Sequence, residues 1–373
     1  MAEIEVLGTG LVYRGSEGDE HFRNAYFPSV VELPGGEMVA AMDIGHRMDT
    51  VDVRSYCCRS IDGGLSWSPP QCIFEPDESA HRVRPTCRIS RAPDDGQLIG
   101  IVSLSDRSRT DFGTTNPETD GMVDGELAIV RSDDGGRNWT GPQKFAPALD
   151  WKVFEICSVI LPLAPDRWLL PTATFLNWDG QCPFGVKALV MISQDRGRTW
   201  TRSADVFNFW DDHITSWEQK QTKLSDGRLL AVCWCFNCAT KEDLPNRYTF
   251  SDNDGASYGP ALESPLHGQT CTVLALKDNH VLCIYRRLDQ RGLWAHLAKI
   301  DGTHWNPVAE KPLWGTDVAA LAEGKDSSLR NLHELRFGFP SVIRLDNGDV
   351  FFVFWGLEDD LTVIRWYRLS VTC

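Results

Sequence analysis

Short apolar runs, each folded back on itself around a polar turn, recur along the whole chain. Six copies are readable. The first is Pro28-Ser-Val-Val-Glu-Leu-Pro-Gly35-Gly36-Glu-Met-Val-Ala-Ala41, and the second covers residues 85–102 around Asp95-Gly96. The others cover 157–170 around Asp166, 221–232 around Asp226-Gly227, 271–284 around Asn279, and 340–353 around Asn347-Gly348. Apolar runs of this length on either side of an Asp/Asn-Gly turn predict β-hairpins. Helical periodicity is weak throughout, with one turn expected within residues 316–329. Apolar strand material is left over at both ends, in residues 4–13 and 361–371.

A second pattern follows most of the hairpins. Ser60-Ile-Asp62-Gly-Gly64-Leu-Ser-Trp67 returns as Ser132-Asp-Asp134-Gly-Gly136-Arg-Asn-Trp139 and as Ser193-Gln-Asp195-Arg-Gly197-Arg-Thr-Trp200. A looser copy reads Ser251-Asp-Asn-Asp254-Gly255-Ala-Ser-Tyr258, with Asp254 taken as the box acid, and Asp301-Gly302-Thr-His-Trp305 is a worn fifth. The Asp can accept N–H bonds from the residues that follow, Gly supplies the positive φ, and Trp covers the turn with an apolar face. These are structural jobs, so the box acids are expected to hold turns and to catalyse nothing. Units of this size repeated along the chain predict an all-β, six-bladed β-propeller with four-stranded antiparallel blades. The N- and C-terminal strands would share one blade and close the ring, which removes an open edge. No linker or low-complexity tract divides residues 1–373, so a single domain is expected.

Composition narrows the partners. The formal charge of −15 and pI near 5.0 argue against nucleic acid or an anionic membrane, while a local Arg cluster can still take an anionic small molecule. The start is acidic, with no apolar leader, and no run reaches 18 apolar residues. Many of the twelve Cys fall in apparent strands (Cys157, Cys233, Cys235, Cys271, Cys283), the pattern of buried reduced thiols in a cytoplasmic protein. Cys233-Trp-Cys235-Phe-Asn-Cys238 lacks a second ligand pair, and Cys233 and Cys235 would share one strand face. No metal and no cofactor are expected, and the oligomeric state is left open.

In a propeller the residues leading into each hairpin converge on the axis. Here they include residues 21–27, 81–84, 154–155, 217–219, 268–270 and 336–339, a set rich in Arg, Glu, Gln and aromatics. The boxes and hairpins together resemble the sialidase (neuraminidase) superfamily of six-bladed propellers, over essentially the whole chain. That resemblance implies an Arg triad for a substrate carboxylate, a Tyr–Glu pair as nucleophile, and a loop Asp as general acid/base. Matched residue by residue, Tyr26 of Tyr26-Phe27-Pro28-Ser29 stands where the first triad Arg is expected, with Arg23 three positions earlier. Gly45-His46-Arg47-Met48-Asp49, with Asp52 close behind, resembles the family's Gly-Arg and acid loop, and Glu218 before Asp226-Gly227 resembles the family Glu. Phe339 occupies the place of the nucleophilic Tyr, which departs from the family's retaining route.

The residues themselves offer paired carboxylates, Glu218 with Asp49 or Glu155 with Glu218, one acting as acid while the other activates water. Glu218, Asp49, Asp52 and Glu155 are therefore the candidate catalytic groups. Arg23, Tyr26, Arg47, Arg84, Trp217, Gln219, Gln269, Arg286, Arg287, Arg336 and Phe339 are the candidate substrate-binding residues. The Arg fork suits a carboxylate, and Trp faces suit a pyranose, with Trp178 and Trp294 as further stacking candidates. The expected activity is an exo-acting, sialidase-like glycosidase on a small, acidic saccharide. The alternatives are a non-catalytic glycan-binding propeller and a lyase using the same pocket.

Overall fold

The computed structural model describes residues 2–79, 81–109 and 113–373. Its strands form six antiparallel blades in a ring. From the axis outward, blade 1 runs Asn24–Glu32, Met38–Gly45, Arg54–Ser60 and Gln71–Cys72, and blade 2 runs Val83–Arg91, Leu98–Asp106, Gly125–Ser132 and Thr140–Phe145. Blade 4 (Ile214–Lys223, Leu229–Asn237, Glu242–Ser251, Leu262–Glu263) and blade 5 (Gly268–Ala275, His280–Arg287, Leu293–Asp301, His304–Trp314) repeat that order. Blade 3 departs from it. Its innermost strand is broken into Phe154–Glu155 and Leu161–Pro162, both paired with Trp168–Thr174, followed by Ala188–Ser193 and Arg202–Phe207.

Blade 6 closes the ring as expected. Phe337–Arg344, Val350–Glu358 and Leu361–Thr372 are followed on the outside by Glu3–Tyr13, in register from Glu3 opposite Thr372 to Tyr13 opposite Ile364. Every residue of Met38–Gly45 and of Trp168–Thr174 is buried, because a second strand is covered on both faces by neighbouring blades. The apolar core therefore lies between blades. Val31, Val39 and Cys57 of blade 1 pack on Cys87, Ile89 and Val102 of blade 2, and Val232 and Tyr248 of blade 4 pack on Cys283 and Tyr285 of blade 5. With apolar burial satisfied there, the axis is left free to hold polar groups.

The Ser-x-Asp turns join third to fourth strands of blades 1 to 4. In each, a Gly N–H donates to the Ser oxygen: Gly64 to Ser60, Gly136 to Ser132 and Gly197 to Ser193 at 2.8 Å, and Gly255 to Ser251 at 2.9 Å. The fourth box corrects the sequence reading. Asn253, not Asp254, accepts from Ser251 and from the Ser257 N–H, while Asp254 sits beside it at positive φ and pairs with Lys223. Asp301-Gly302 is a plain hairpin turn between two strands of blade 5. The short helical turn is Leu329–Glu334, later than expected. Between residues 103 and 125, a polar segment of the sequence, residues through Asp106 continue a strand, and 110–112 lie outside the described residues. No helix is long and apolar enough to cross a membrane among the described residues.

Candidate functional site

While the innermost strand of blade 2 pairs in continuous register, four of the six innermost strands share an irregularity. Their pairing slips between Tyr26 and Ser29, Trp217 and Lys220, Gln269 and Thr272, and Gly338 and Ser341. At each slip one non-glycine residue takes the left-handed conformation: Phe27 (φ 52°), Glu218 (φ 50°), Thr270 (φ 50°) and Phe339 (φ 55°). A bulge of this kind re-aims a side chain, and holding such a residue at positive φ costs roughly 1–3 kcal/mol. Blades 1, 4, 5 and 6 thus each turn one side chain at the same depth of the ring. In blade 3 the strand breaks at that depth, after Glu155.

Glu155, Cys157 and Glu218 meet there, with one ligating atom of each within 4.8 Å of the others. The Glu155 carboxylate accepts the Glu218 N–H at 3.0 and 2.8 Å, and the Cys157 thiol lies 3.8 Å from Glu218 Oε1. Glu218 Oε2 is buried and has no protein partner among the described residues. Lys220 donates to the Cys157 carbonyl and sits 4.7 Å from the Phe339 ring. Arg286, 2% exposed, donates to Gln269 Oε1 at 2.9 and 2.6 Å and to the Phe337 carbonyl. Gly338 makes room for it, since a Cβ there would lie 2.4 Å from Arg286 Nη1.

Burial dominates the proton affinities. It raises both carboxyls, Glu155 further through the Glu218 charge, while Arg286 and Lys220 pull Glu218 back. Two like charges this close and this buried cannot both ionise at neutral pH, so the pair shares a proton. Burial lowers Lys220, brings Arg286 down to about 10, and raises the Cys157 thiol, which is no thiolate. Glu155, Cys157 and Glu218 form a converging set of metal-type donors, yet Lys220 and Arg286 already supply positive charge beside them. The cluster suits a shared proton better than a cation.

On the mouth side lies a cavity of about 930 Å³ over blades 1, 2 and 6, whose wall includes Arg23, Tyr26, Phe27, Arg47, Asp49 and Arg84. Arg23 and Arg47 make no ion pair among the described residues, and His46 Nδ1 is buried without a partner. Two loops complete the wall, one through Thr114 and Pro117, the other through Leu329, Arg330 and His333. Arg330 locks them together by donating to Asp120 at 2.8 and 2.5 Å. Leu329 is buried with Trp217, Phe175 and Phe236, and the Glu155–Glu218 pair is not part of the funnel lining.

The expected residues fall into three groups. Arg23, Tyr26, Arg47, Asp49 and Arg84 line the funnel, where Asp49 accepts the Thr114 N–H at 2.5 Å and lies 3.5 Å from Arg107. Glu155, Glu218, Arg286, Gln269 and Phe339 are at the axis, and Glu218 is adjacent to Glu155 rather than to Asp49. The remainder do other work. Asp52 braces its loop by accepting the His46 N–H at 2.8 Å, and its carboxyl is held low by hydrogen bonds from Thr50 and His46 that outweigh burial, unsuited to a general acid. Trp217 is packed against Trp234 and Phe236, closed to sugar. Gln219 staples blade 4 to blade 3 through the Thr172 and Leu189 carbonyls. Arg287 pairs with Asp289 and Glu310 and lies over Trp294, and Arg336 is exposed outside the funnel. Lys220 and Arg88 escaped sequence reading, as did any place for Cys157 beside the carboxylates; Arg88 is one of three Arg in its strand and differs from Arg84 and Arg91 only in lying between Cys87 and Ile89.

A ring of six four-stranded blades with buried carboxylates at its axis and an Arg-lined funnel above defines a propeller with an axial polar site. No family model and no curated protein matches the chain. Solved structures do share its fold. A protein of unknown function from Dyadobacter fermentans is 18% identical, with TM-score 0.73 and 99% of each chain covered. The NanB sialidase from Streptococcus pneumoniae is 11% identical with TM-score 0.66, covering 97% of this chain and 70% of its own. An α-L-arabinofuranosidase from Fusarium graminearum, in complex with an iminosugar inhibitor, is 11% identical with TM-score 0.65 and 97% of each chain covered.

Proposed function

We propose that this protein is a glycoside hydrolase acting on an acidic saccharide, with Glu155 as acid/base and Glu218 as nucleophile. The observation that carries it is the pairing of the buried Glu155 with Glu218, a half-buried residue whose Oε2 is itself buried, within 4.8 Å at the axis. A pair this close is short of the roughly 6.5–9.5 Å that leaves room for an inverting water, which favours the retaining arrangement. Glu218 attacks the anomeric carbon, the glycosidic C–O bond breaks, and the Glu155 proton goes to the leaving oxygen. Water, deprotonated by Glu155, then displaces Glu218 and restores both groups. Phe339, lacking a hydroxyl, is replaced as nucleophile by the carboxylate itself. Arg23, Arg47 and Arg84 supply the local positive charge that takes an anionic sugar into an acidic protein. Carbohydrate-active neighbours of the same fold support the class. Turnover requires the funnel wall to open toward the axis, since the pair does not line the funnel.

The test is a panel of aryl sialosides, uronides and arabinosides, with Glu218→Gln as control. Release by the wild type and its loss in the variant are expected. Absence of turnover alongside measurable glycan binding overturns the hydrolase in favour of a binding propeller. A second reading rests on the separation of funnel and pair. Tyr26, His46 and His333 share the funnel with Arg23, Arg47 and Arg84, a set able to remove the proton beside an Arg-held uronate carboxylate and expel the oxygen at C4. An ultraviolet-absorbing unsaturated uronate, formed undiminished by Glu218→Gln, would establish that lyase.

A further inference from the structure

Beyond the bulges the axis opens again. A second chamber of about 200 Å³ is lined by later residues of the innermost strands, among them Ser29, Arg88, Lys220, Thr272, Phe339 and Ser341. Its lining includes two cations and no carboxylate. The Arg88 residue is 3% exposed. Its Nη1 donates to Asp43 at 3.0 Å and to the Cys87 carbonyl at 2.8 Å. Its guanidinium lies 5.2 Å from the Phe27 ring and 4.8 Å from the Phe339 ring.

What remains is the Nε/Nη2 edge. Nε is buried without a partner, and Nη2 makes no hydrogen bond among the described residues. That edge is the one whose two parallel N–H groups match the two oxygens of a carboxylate or oxyanion. A buried cationic donor left unpaired is costly. Lys220 stands on the same wall, and its one described acceptor is the Cys157 carbonyl. Asp43 is spent on Arg88, Ser55 and Thr86, while the carboxylates that act on Lys220, Glu155 and Glu218, are outside the chamber lining.

We infer that this lower chamber is a binding site for a small carboxylate or oxyanion, held by the free edge of Arg88 and by Lys220. The site is separate from the funnel and stands whether or not the hydrolase reading does. Phe339 closes it toward the mouth, and the hydroxyls of Ser29, Thr272 and Ser341 line the rest.

Calorimetric titration of the full chain with acetate and with selenate, at constant ionic strength in chloride, tests it, together with crystals soaked in each anion. Saturable binding and density at Arg88 and Lys220 are expected, with affinity lowered about tenfold or more in Lys220→Met and unchanged in Arg47→Met. Preference for acetate or for selenate then identifies the chemistry as carboxylate or oxyanion. Because Arg88→Met would strand the buried Asp43 and endanger the fold, Lys220→Met and the wild-type soaks carry the test. Absence of density in the chamber with both anions, or unchanged affinity in Lys220→Met, overturns the inference.

Discussion

The rim turns and the axial bulges are both repeats, and they treat their side chains in opposite ways. At the rim the same chemistry returns four times: a Ser oxygen takes a Gly N–H, and an Asp or Asn side chain gathers the next amides. At the axis the same backbone returns four times, but it carries Phe27, Glu218, Thr270 and Phe339. Where side chain and backbone repeat together, the residue holds the fold. Where only the backbone repeats, the position has been released for something else, and the buried carboxylate pair grows from one such position.

This contrast breaks first at Glu218. Glu218→Gln keeps shape and volume, so kcat/KM should fall about a thousandfold or more while Tm stays within a few degrees; a comparable loss from Asp134→Asn at the rim would abolish the distinction. Next comes the packing of the axis. Phe339→Ala removes a ring 4% exposed and in edge contact with Phe27, and should cost about 3 kcal/mol or more in denaturant unfolding. Gly338→Ala pushes a Cβ onto Arg286 and should cost about 2 kcal/mol by the same measurement, with Gly36→Ala, open around its Cβ, as the comparison for positive φ alone.

The pH dependence separates the regions further. Glu155 binds its proton more tightly in the folded chain than in the unfolded one. Its contribution is therefore complete below the ordinary Glu range and is lost as pH rises through about 8. Asp62 runs the other way: hydrogen bonds from Ser66 and Ser60 hold its carboxyl low, near 2, so its contribution is lost only in acid. Thermal melts from pH 5 to 9 should decline in the wild type and flatten in Glu155→Gln, with Asp62→Ala leaving that slope unchanged. The smallest effect is at the rim itself. Asp195→Ala should lower Tm by about 2–4 °C without altering turnover.

The hairpins, blade count and ring closure were legible because each rests on local signals: apolar alternation, Asn/Asp-Gly turns and leftover terminal strands. The bulges were not. Phe, Glu and Thr at positive φ have no sequence signature, and a slip of one residue reverses which side chains face the axis. That is why Trp217 and Gln219, flanking Glu218, were grouped with it although they bury in the cluster beside Leu329 and against blade 3. It is also why Lys220 went unseen. The funnel half of the site read better, since Arg23, Tyr26, Arg47, Asp49 and Arg84 lie close to proline and glycine landmarks. Arg287 misled because adjacency to Arg286 in a strand means opposite faces.

The closing blade sets an order of events. Thr9 donates to the Trp366 carbonyl across 357 positions of chain. The outermost strand cannot dock until the strand it pairs with has been synthesised, so a nascent chain carries five and a half blades before its circle can shut. Contacts so distant in sequence come late and slowly in folding. The first dozen residues are thus a fastening held open throughout translation, and whatever chaperones this chain has to shield that unpaired strand longest of all.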